Sequence, residues 1–363
     1  MRFPEFTGEW EKCKLSKVCS FFSGGTPPSS NKEYYNGNIP FIRSGELHND
    51  ETELFITKEG LDNSAAKMVE VGDLLLALYG ATSGDIAISK IKGAINQAIL
   101  CIRTKQNKKF VESVWNKHVA RLLQTYLQGG QGNLSADIVK NIPFYFTNIE
   151  EQNKLARFIS LLDQRIAAQN KIIEDLKKLK SAIYQELFSN LQGEEKSLSE
   201  LAEITKGQQV NGNQLSENGK YYVMNGGIMP SGYYDDYNTE AGTISISEGG
   251  NSCGYVQYNK SKFWSGGHCY TLHIKPTARI STLFLFHCLK WKEEDIMALR
   301  IGSGLPNIQK KDLSKVRIIV PTFDKQQQLI ALLSTLQMKI EYEEMYTINL
   351  DKQKLHLLSQ MFI

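Results

Sequence analysis

The residues of this chain that could do chemistry do not fall into a catalytic pattern. There is no GxxxxGK[ST] phosphate loop, no GxSxG elbow and no HExxH pair. No Asn-Pro-Pro-aromatic or Asp-Pro-Pro-Tyr tetrapeptide, of the kind that grips a target amine in amino-methyltransferases, is present. Gly130-Gln-Gly132 and Gly302-Ser-Gly304 hold a GxG each, and neither completes GxGxxG. His268, Cys269, His273, His287 and Cys288 come nearest to a metal set. Four of them sit in apolar strand-like or helix-like stretches, and the first half has no equivalent, so no metal site is expected. Glu174, Asp175 and Glu186 are interleaved with Lys177, Lys178 and Lys180, which reads as a solvated helix face. The expectation is a chain that is not an enzyme and has no cofactor of its own.

What remains is chemistry of recognition. Loops rich in Gly, Ser, Thr, Asn and Gln recur at matched places in the two halves. Amides and hydroxyls can read base edges, while Arg and Lys can hold phosphate or guanine. The candidate DNA contacts are Thr26, Arg43, Tyr79, Thr82, Gln97, Gln131 and Asn133 in the first half. In the second half they are Lys206, Gln208, Gln209, Asn251, His268, Ser303 and Asn307. Any one such loop read alone is a plain turn; the case rests on their recurrence.

The elements that must carry these loops are repeated too. Residues 152–188 align without a gap to residues 326–362, a shift of 174 (326 − 152), with identities at Gln152/Gln326, Leu155/Leu329, Leu162/Leu336, Ile166/Ile340, Leu176/Leu350 and Phe188/Phe362. Steps of four and three place Leu155, Ile159, Leu162, Ile166, Ile173, Leu176 and Ile183 on one seam; the second helix runs Leu329, Leu333, Leu336, Ile340, Leu350 and Leu357, with Thr347 at the place of Ile173. Such a 3.5-residue spacing keeps a narrow stripe facing a partner helix. Gln169 and Lys180 interrupt the first stripe, and Glu343 and Lys354 interrupt the second at equivalent places. A helix of this length spans about 55 Å at 1.5 Å per residue. That exceeds one small domain, so the pair reads as an antiparallel coiled-coil spacer.

Outside the helices each half reads as mixed α/β. Val71-Gly-Asp-Leu-Leu-Leu-Ala-Leu-Tyr-Gly-Ala-Thr-Ser-Gly-Asp-Ile matches Ala241-Gly-Thr-Ile-Ser-Ile-Ser-Glu-Gly-Gly-Asn-Ser-Cys-Gly-Tyr-Val, each a strand, a small-residue loop and a second strand. Helical patterns follow at about 109–127 and 280–299. The expected architecture is a pseudo-twofold repeat: a globule at 1–149, a helix at 150–192, a globule at 193–323 and a helix at 324–363. That symmetry suits a target with two halves.

Composition narrows the class. Lys and Arg number 42 against 39 acidic residues, a net charge of +3, so bulk charge does not announce a nucleic-acid binder. Local basic runs at Arg103, Lys105, Lys108 and Lys109, and around Arg300, Lys310 and Lys311, read first as solvated faces. No apolar run approaches membrane-spanning length, and the opening MRFPEFTGEW lacks a signal segment, so a cytoplasmic location is expected. Cys13, Cys19, Cys101, Cys253, Cys269 and Cys288 show no paired spacing and are expected reduced and buried.

At this point the residues resemble a known family. Ser23-Gly-Gly-Thr-Pro-Pro, Asn36-Gly-Asn-Ile-Pro-Phe-Ile-Arg-Ser-Gly, Gly72-Asp-Leu-Leu, Tyr79-Gly-Ala-Thr, Asn96-Gln and Asn141-Ile-Pro are similar to the specificity subunits of type I restriction–modification systems. The lead-in Arg2-Phe-Pro-Glu-Phe-Thr-Gly-Glu-Trp is similar as well. The second half departs, with Lys206-Gly-Gln-Gln in place of a Gly-Thr-Pro loop, which suits a half that reads another sequence. The resemblance implies two target-recognition domains on double-stranded DNA, each reading half of an interrupted site, with the helices as ruler. It implies two methyltransferase subunits that bind S-adenosylmethionine, and two endonuclease/translocase subunits that use ATP and Mg. The competing reading is a coiled-coil protein–protein adaptor whose globular halves bind peptides.

Overall fold

Each long helix starts from a buried glutamine. The computed structural model describes residues 2–126, 134–302, 304 and 306–362. In it the helices run Ile149–Ser189 and Phe323–Met361. Gln152 is fully buried; its amide donates to the Thr147 carbonyl at 2.6 Å and its Oε1 accepts from the Asn107 N–H at 3.1 Å. Gln326 is buried likewise, donating to the Pro321 carbonyl at 3.1 Å and accepting from the Ser281 N–H at 2.9 Å. Asn107 and Ser281 stand just ahead of the helices Lys108–Tyr126 and Thr282–Trp291. One amide therefore satisfies groups that a loop and a helix start would otherwise bury unpaired.

The chain divides into two units, Met1–Asn170 with Met345–Ile363, and Lys171–Glu344. Each holds one globule and part of each long helix. In the first unit an antiparallel sheet has the spatial order Cys19–Ser23, Ile99–Thr104, Leu74–Ala77, Ile86–Ile88. Its Leu74–Ala77 strand is buried on both faces, as its unbroken apolar run requires. The helix Lys108–Tyr126 covers one face with Phe110, Val114 and Trp115, and the Trp115 indole N–H donates to the Gly84 carbonyl at 2.7 Å. A smaller sheet orders Phe55–Ile56, Tyr35–Ile42, Gly93–Ile95 and Lys67–Val69, and Glu11–Lys14 pairs with Pro143–Phe146 at the rim.

The second unit repeats the plan. Its main sheet runs Ala202–Lys206, Cys269–Ile274, Thr243–Ser247, Val256–Asn259. Glu194–Ser197 pairs with Arg317–Val320, and Tyr233–Tyr234, Tyr221–Met224 and Trp264–Ser265 form a smaller sheet. The single helical pattern read at 280–299 breaks into Thr282–Trp291 and Glu293–Ala298 where Lys292 leaves helical geometry.

Within each unit the helix segments pack in opposite directions. In the first, Leu155, Ala156 and Ile159 share a core with Leu358, Met361 and Phe362, Asp163 meets Lys354 at 2.6 Å, and Arg165 donates to the Tyr346 hydroxyl. In the second, Tyr184 and Phe188 share a core with Leu329, Ile330 and Leu333, and Lys180 donates to Gln337 Oε1 at 2.6 Å. Of the seam residues, Leu155, Ile159, Ile173, Leu329, Leu333, Ile340 and Leu350 are buried. Leu162, Ile166, Leu176, Leu336 and Leu357 are half-buried. All six cysteines are free; Cys101, Cys253, Cys269 and Cys288 are buried, while Cys13 and Cys19 are only half-buried, at strand positions near the rim. No helix among the described residues is long and apolar enough to cross a membrane.

Candidate nucleic-acid interface

The small-residue turns that follow Leu74–Ala77 and Thr243–Ser247 have the same backbone. The Gly84 N–H donates to the Ala77 carbonyl at 2.9 Å, and Gly254 donates to Ser247 at 2.9 Å. Leu78 donates to Ala98 at 2.8 Å, and Glu248 donates to His268 at 2.9 Å. Their carbonyls accept in the same way, from Leu134 at 2.8 Å and from Ile308 at 2.8 Å. Gly84 (φ +87°) and Gly254 (φ +93°) close the turns in the left-handed region, where only glycine is unstrained. Two turns with one backbone thus carry different side chains, which is what two readers of different sequences need.

In the first unit the turn brings three of the sequence candidates together. The Thr26 hydroxyl donates to Gln97 Oε1, and the half-buried Tyr79 hydroxyl donates to the Gln97 carbonyl. Gln97 and Thr26 stand exposed at the rim of the main sheet, and Thr82 is half-buried in the turn. Arg43 does not join them. Its guanidinium pairs with Glu46 at 2.8 Å and Glu53 at 2.9 Å. Burial alone would raise the Glu46 carboxyl; hydrogen bonds from the Arg43 guanidinium and N–H, the Glu53 N–H and the Thr52 hydroxyl overcome that and hold it at about 2. Arg43 is therefore engaged in shaping its own loop. Gln131 and Asn133 lie outside the described residues.

The second unit solves the same geometry with the sides exchanged. The Gln208 N–H donates to the Ser265 carbonyl at 2.8 Å, as Gly25 donates to Ile95 at 3.2 Å in the first. Gln209 then stands where Thr26 stands, and Gly267 where Gln97 stands. A Cβ at Gly267 would lie 2.6 Å from Gln209 Oε1, so the glutamine side chain lies over the glycine. Each unit puts one glutamine amide at this place, from opposite loops.

Lys206 and His268 gather around a residue the candidate set lacks. Lys206 Nζ lies 2.6 Å from Glu248 Oε1, the Tyr270 hydroxyl lies 3.0 Å from the same oxygen, and His268 Nδ1 lies 3.7 Å from Oε2. Burial, with the adjacent carboxylate, pushes the Tyr270 phenol up to about 12, so it remains a hydrogen-bond donor. The signal for Glu248 is in the aligned strands, where it stands opposite Leu78: a carboxylate at a place the other half gives to a buried leucine. Asn225 is the other omission; its Oδ1 accepts from the His268 N–H at 3.1 Å. Asn307 pairs by backbone with Ile301 and bridges to Gly249, holding the rim of the turn, and Asn251 stands exposed on it. Ser303 lies outside the described residues.

The basic runs have different fates. Arg103 pairs with the buried Asp73 at 2.7 Å, and Lys109 bridges Glu112 and Asp163. Those charges brace the fold. Arg300, Lys310 and Lys311 are exposed.

A family model described as the type I restriction modification DNA specificity domain matches residues 7–178 and again residues 191–350. The chain belongs to this family. Two matches in one chain correspond to the two units with one turn geometry. Among curated relatives named as type I specificity subunits, the chain is similar to one from Mycoplasma pneumoniae, 34% identical over 157 residues, covering 43% of this chain and 42% of that protein. Another, from Mycoplasma genitalium, is 32% identical over 145 residues, covering 40% of this chain and 38% of the relative. The chain thus spans less than half the length of these curated relatives. The crystal structure of a type I restriction–modification S subunit from M. genitalium matches with a TM-score of 0.66 at 20% identity, over 100% of this chain and 99% of that one. That likeness identifies the specificity-subunit fold, with its two repeated domains and long helices.

Proposed function

We propose that this chain is the DNA sequence-recognition subunit of a type I restriction–modification complex. Each globular half reads one half-site of a bipartite, interrupted sequence in double-stranded DNA. The observation that carries the reading is the pair of turns with one backbone and different polar side chains, Thr26/Tyr79/Gln97 against Gln209/Glu248/His268. A peptide-binding adaptor would have no use for two matched readers at a fixed repeat. Two methyltransferase subunits, carrying S-adenosylmethionine, dock on the chain, and two endonuclease/translocase subunits join with ATP and Mg. The chain itself is non-catalytic and works in the cytoplasm.

The test is reconstitution of the full chain with methyltransferase subunits, followed by sequencing of the modified DNA. One or two helical turns inserted near Asn190–Gly193 should lengthen the unread gap and leave both half-sites intact, since B-DNA advances about 3.4 Å per base pair. A changed half-site with an unchanged gap would rule out the ruler. Methylation by the purified chain alone would rule out a non-catalytic subunit.

A further inference from the structure

The residue that separates the two turns is Glu248. Its backbone is held as Leu78 is held: the N–H donates to the turn ahead of the neighbouring strand, at His268 as at Ala98, and the carbonyl accepts from the returning chain. Leu78 is 4% exposed and needs no partner; Glu248 is 8% exposed and buries a carboxylate in the same kind of place. One oxygen is served by Lys206 at 2.6 Å and by the Tyr270 hydroxyl at 3.0 Å. The other, Oε2, is buried and has no hydrogen-bond partner among the described residues. A buried carboxylate oxygen without a donor is costly, and the cost is kept where the donor comes from outside the chain.

One side chain beside Oε2 is exposed. The His268 ring lies 3.7 Å away, beyond hydrogen-bond reach, and its side chain is 63% exposed. Its backbone is fixed on both sides, by Asn225 Oδ1 and by the Glu248 N–H, so the ring can swing without disturbing the strand. The floor is rigid: Cys253 Sγ donates to the Glu248 carbonyl at 3.0 Å, and Ile308 to the same carbonyl at 2.8 Å. Gln209 and Asn251 stand exposed on the flanking loops.

We propose that Glu248 is a specificity-determining residue of the second unit: its Oε2 accepts an N–H from the exocyclic amine of one base, cytosine N4 or adenine N6, once the His268 ring turns aside. The proposal rests on the DNA-reading function above. A carboxylate suits this task because it only accepts, and cytosine and adenine are the bases that offer an amine in the major groove. Lys206 meets only the other oxygen, Oε1, and from its half-exposed position can reach backbone phosphate. The first unit, with Leu78, has no counterpart, so the two half-sites differ at the corresponding base.

The full chain, reconstituted with methyltransferase subunits, is used to select from a randomised double-stranded DNA library at several salt concentrations. Wild-type chain should show cytosine or adenine at one position of the second half-site, and which of the two appears names the amine. Glu248→Gln should reduce that preference roughly 10- to 100-fold, leaving the other positions and the whole first half-site unchanged. Glu248→Asp keeps the charge beside Lys206 but withdraws the oxygens by one methylene, and should lose the same preference. Retained selection of the first half-site shows that either variant is folded and assembled. Lys206→Met should weaken all sequences alike and flatten the salt dependence. Two outcomes would overturn the proposal while the DNA-reading function stands. One is Gln and Asp variants that keep the wild-type preference. The other is a Gln variant that behaves as Lys206→Met does, which would make Glu248 only a counter-ion. A wild-type chain that selects no sequence would defeat the DNA-reading function itself, and this assignment with it.

Discussion

Gln97 and Gln209 reach one place from opposite sides, and that exchange makes them the first candidates for base contacts to test. A side chain that only propped the loop could be supplied by the same strand in both units. Here Thr26 opposes Gln97 in one unit and Gly267 yields to Gln209 in the other, so an amide is kept while its origin is not. Gln97→Ala should cost about 1–3 kcal/mol at one position of the first half-site, and Gln209→Ala the same at one position of the second. Competition binding against single-base variants checks this; a uniform loss across all variants would reassign both glutamines to scaffolding. Arg43 should behave oppositely. Its charge serves Glu46, whose carboxyl is held at about 2 against an ordinary 4.5. A depressed carboxyl adds stability above about 4.5 that is lost as pH falls toward 2. Arg43→Met should therefore lower first-unit stability at neutral pH by about 1–2 kcal/mol, discounted because the guanidinium is half exposed, and shrink that acid-sensitive loss. Denaturation at pH 7 and pH 3.5 measures it, and a variant weakened in DNA binding but not in stability would contradict the assignment.

At the scale of elements, the second unit is locked to its long helix by a buried polar pair. The Tyr184 hydroxyl lies 2.5 Å from His287 Nδ1, and the Tyr184 and His287 rings pack edge to face. Burial, with the nearby Lys180 charge, lowers the imidazole from 6.5 to about 4. The folded state thus keeps His287 neutral where the unfolded state takes up a proton. Stability from this group is fully present above pH 6.5 and drains away as pH falls toward 4, by up to about 3 kcal/mol. Amide protection over residues 182–189, corrected for the slowing of intrinsic exchange in acid, should fall across that window in the wild-type chain and stay flatter in His287→Gln. Parallel profiles would show that the pair does not anchor the helix. Neither this pair nor Glu248 with Lys206 is legible from spacing alone. The members lie 103 and 42 residues apart, and only folding brings them together. The helices and the aligned turns were legible because their signals are local: a 3.5-residue apolar period, and glycines at fixed offsets in a strand–turn–strand. Polarity marks loop residues, whereas Glu248 follows directly on the apolar strand Thr243–Ser247 and reads as part of it.

The whole molecule is two copies of one plan, and the identities that make the copies interchangeable sit where each unit needs the other helix. In the first unit Phe362 packs against Trp10 and Phe110, Lys354 meets Asp163, and Leu358 and Met361 lie in the same core as Leu155 and Ile159. A fragment of residues 1–192 loses all of them and uncovers that core. The shift of 174 residues identifies its replacements in its own helix: Phe188 for Phe362, Lys180 for Lys354, Leu187 for Met361, and Tyr184 for Leu358. Two of the four are identical, and Leu187 differs little in volume from the methionine it replaces. Only Tyr184 is larger, and Leu358 is buried, so the core must adjust at that one place. Covering such a seam is worth about 1.5–3 kcal/mol for each large apolar side chain buried. A second copy can supply it running antiparallel, so the fragment should form a twofold dimer. A twofold dimer presents the same reader twice. Together with methyltransferase subunits it should modify a palindromic interrupted site built from two inverted copies of the first half-site. Sedimentation of the fragment and sequencing of the modified DNA test both steps. A monomer at micromolar concentration would mean that Tyr184 cannot stand in for Leu358. A dimer that still selected the asymmetric parental site would break the link between helix repeat and DNA symmetry.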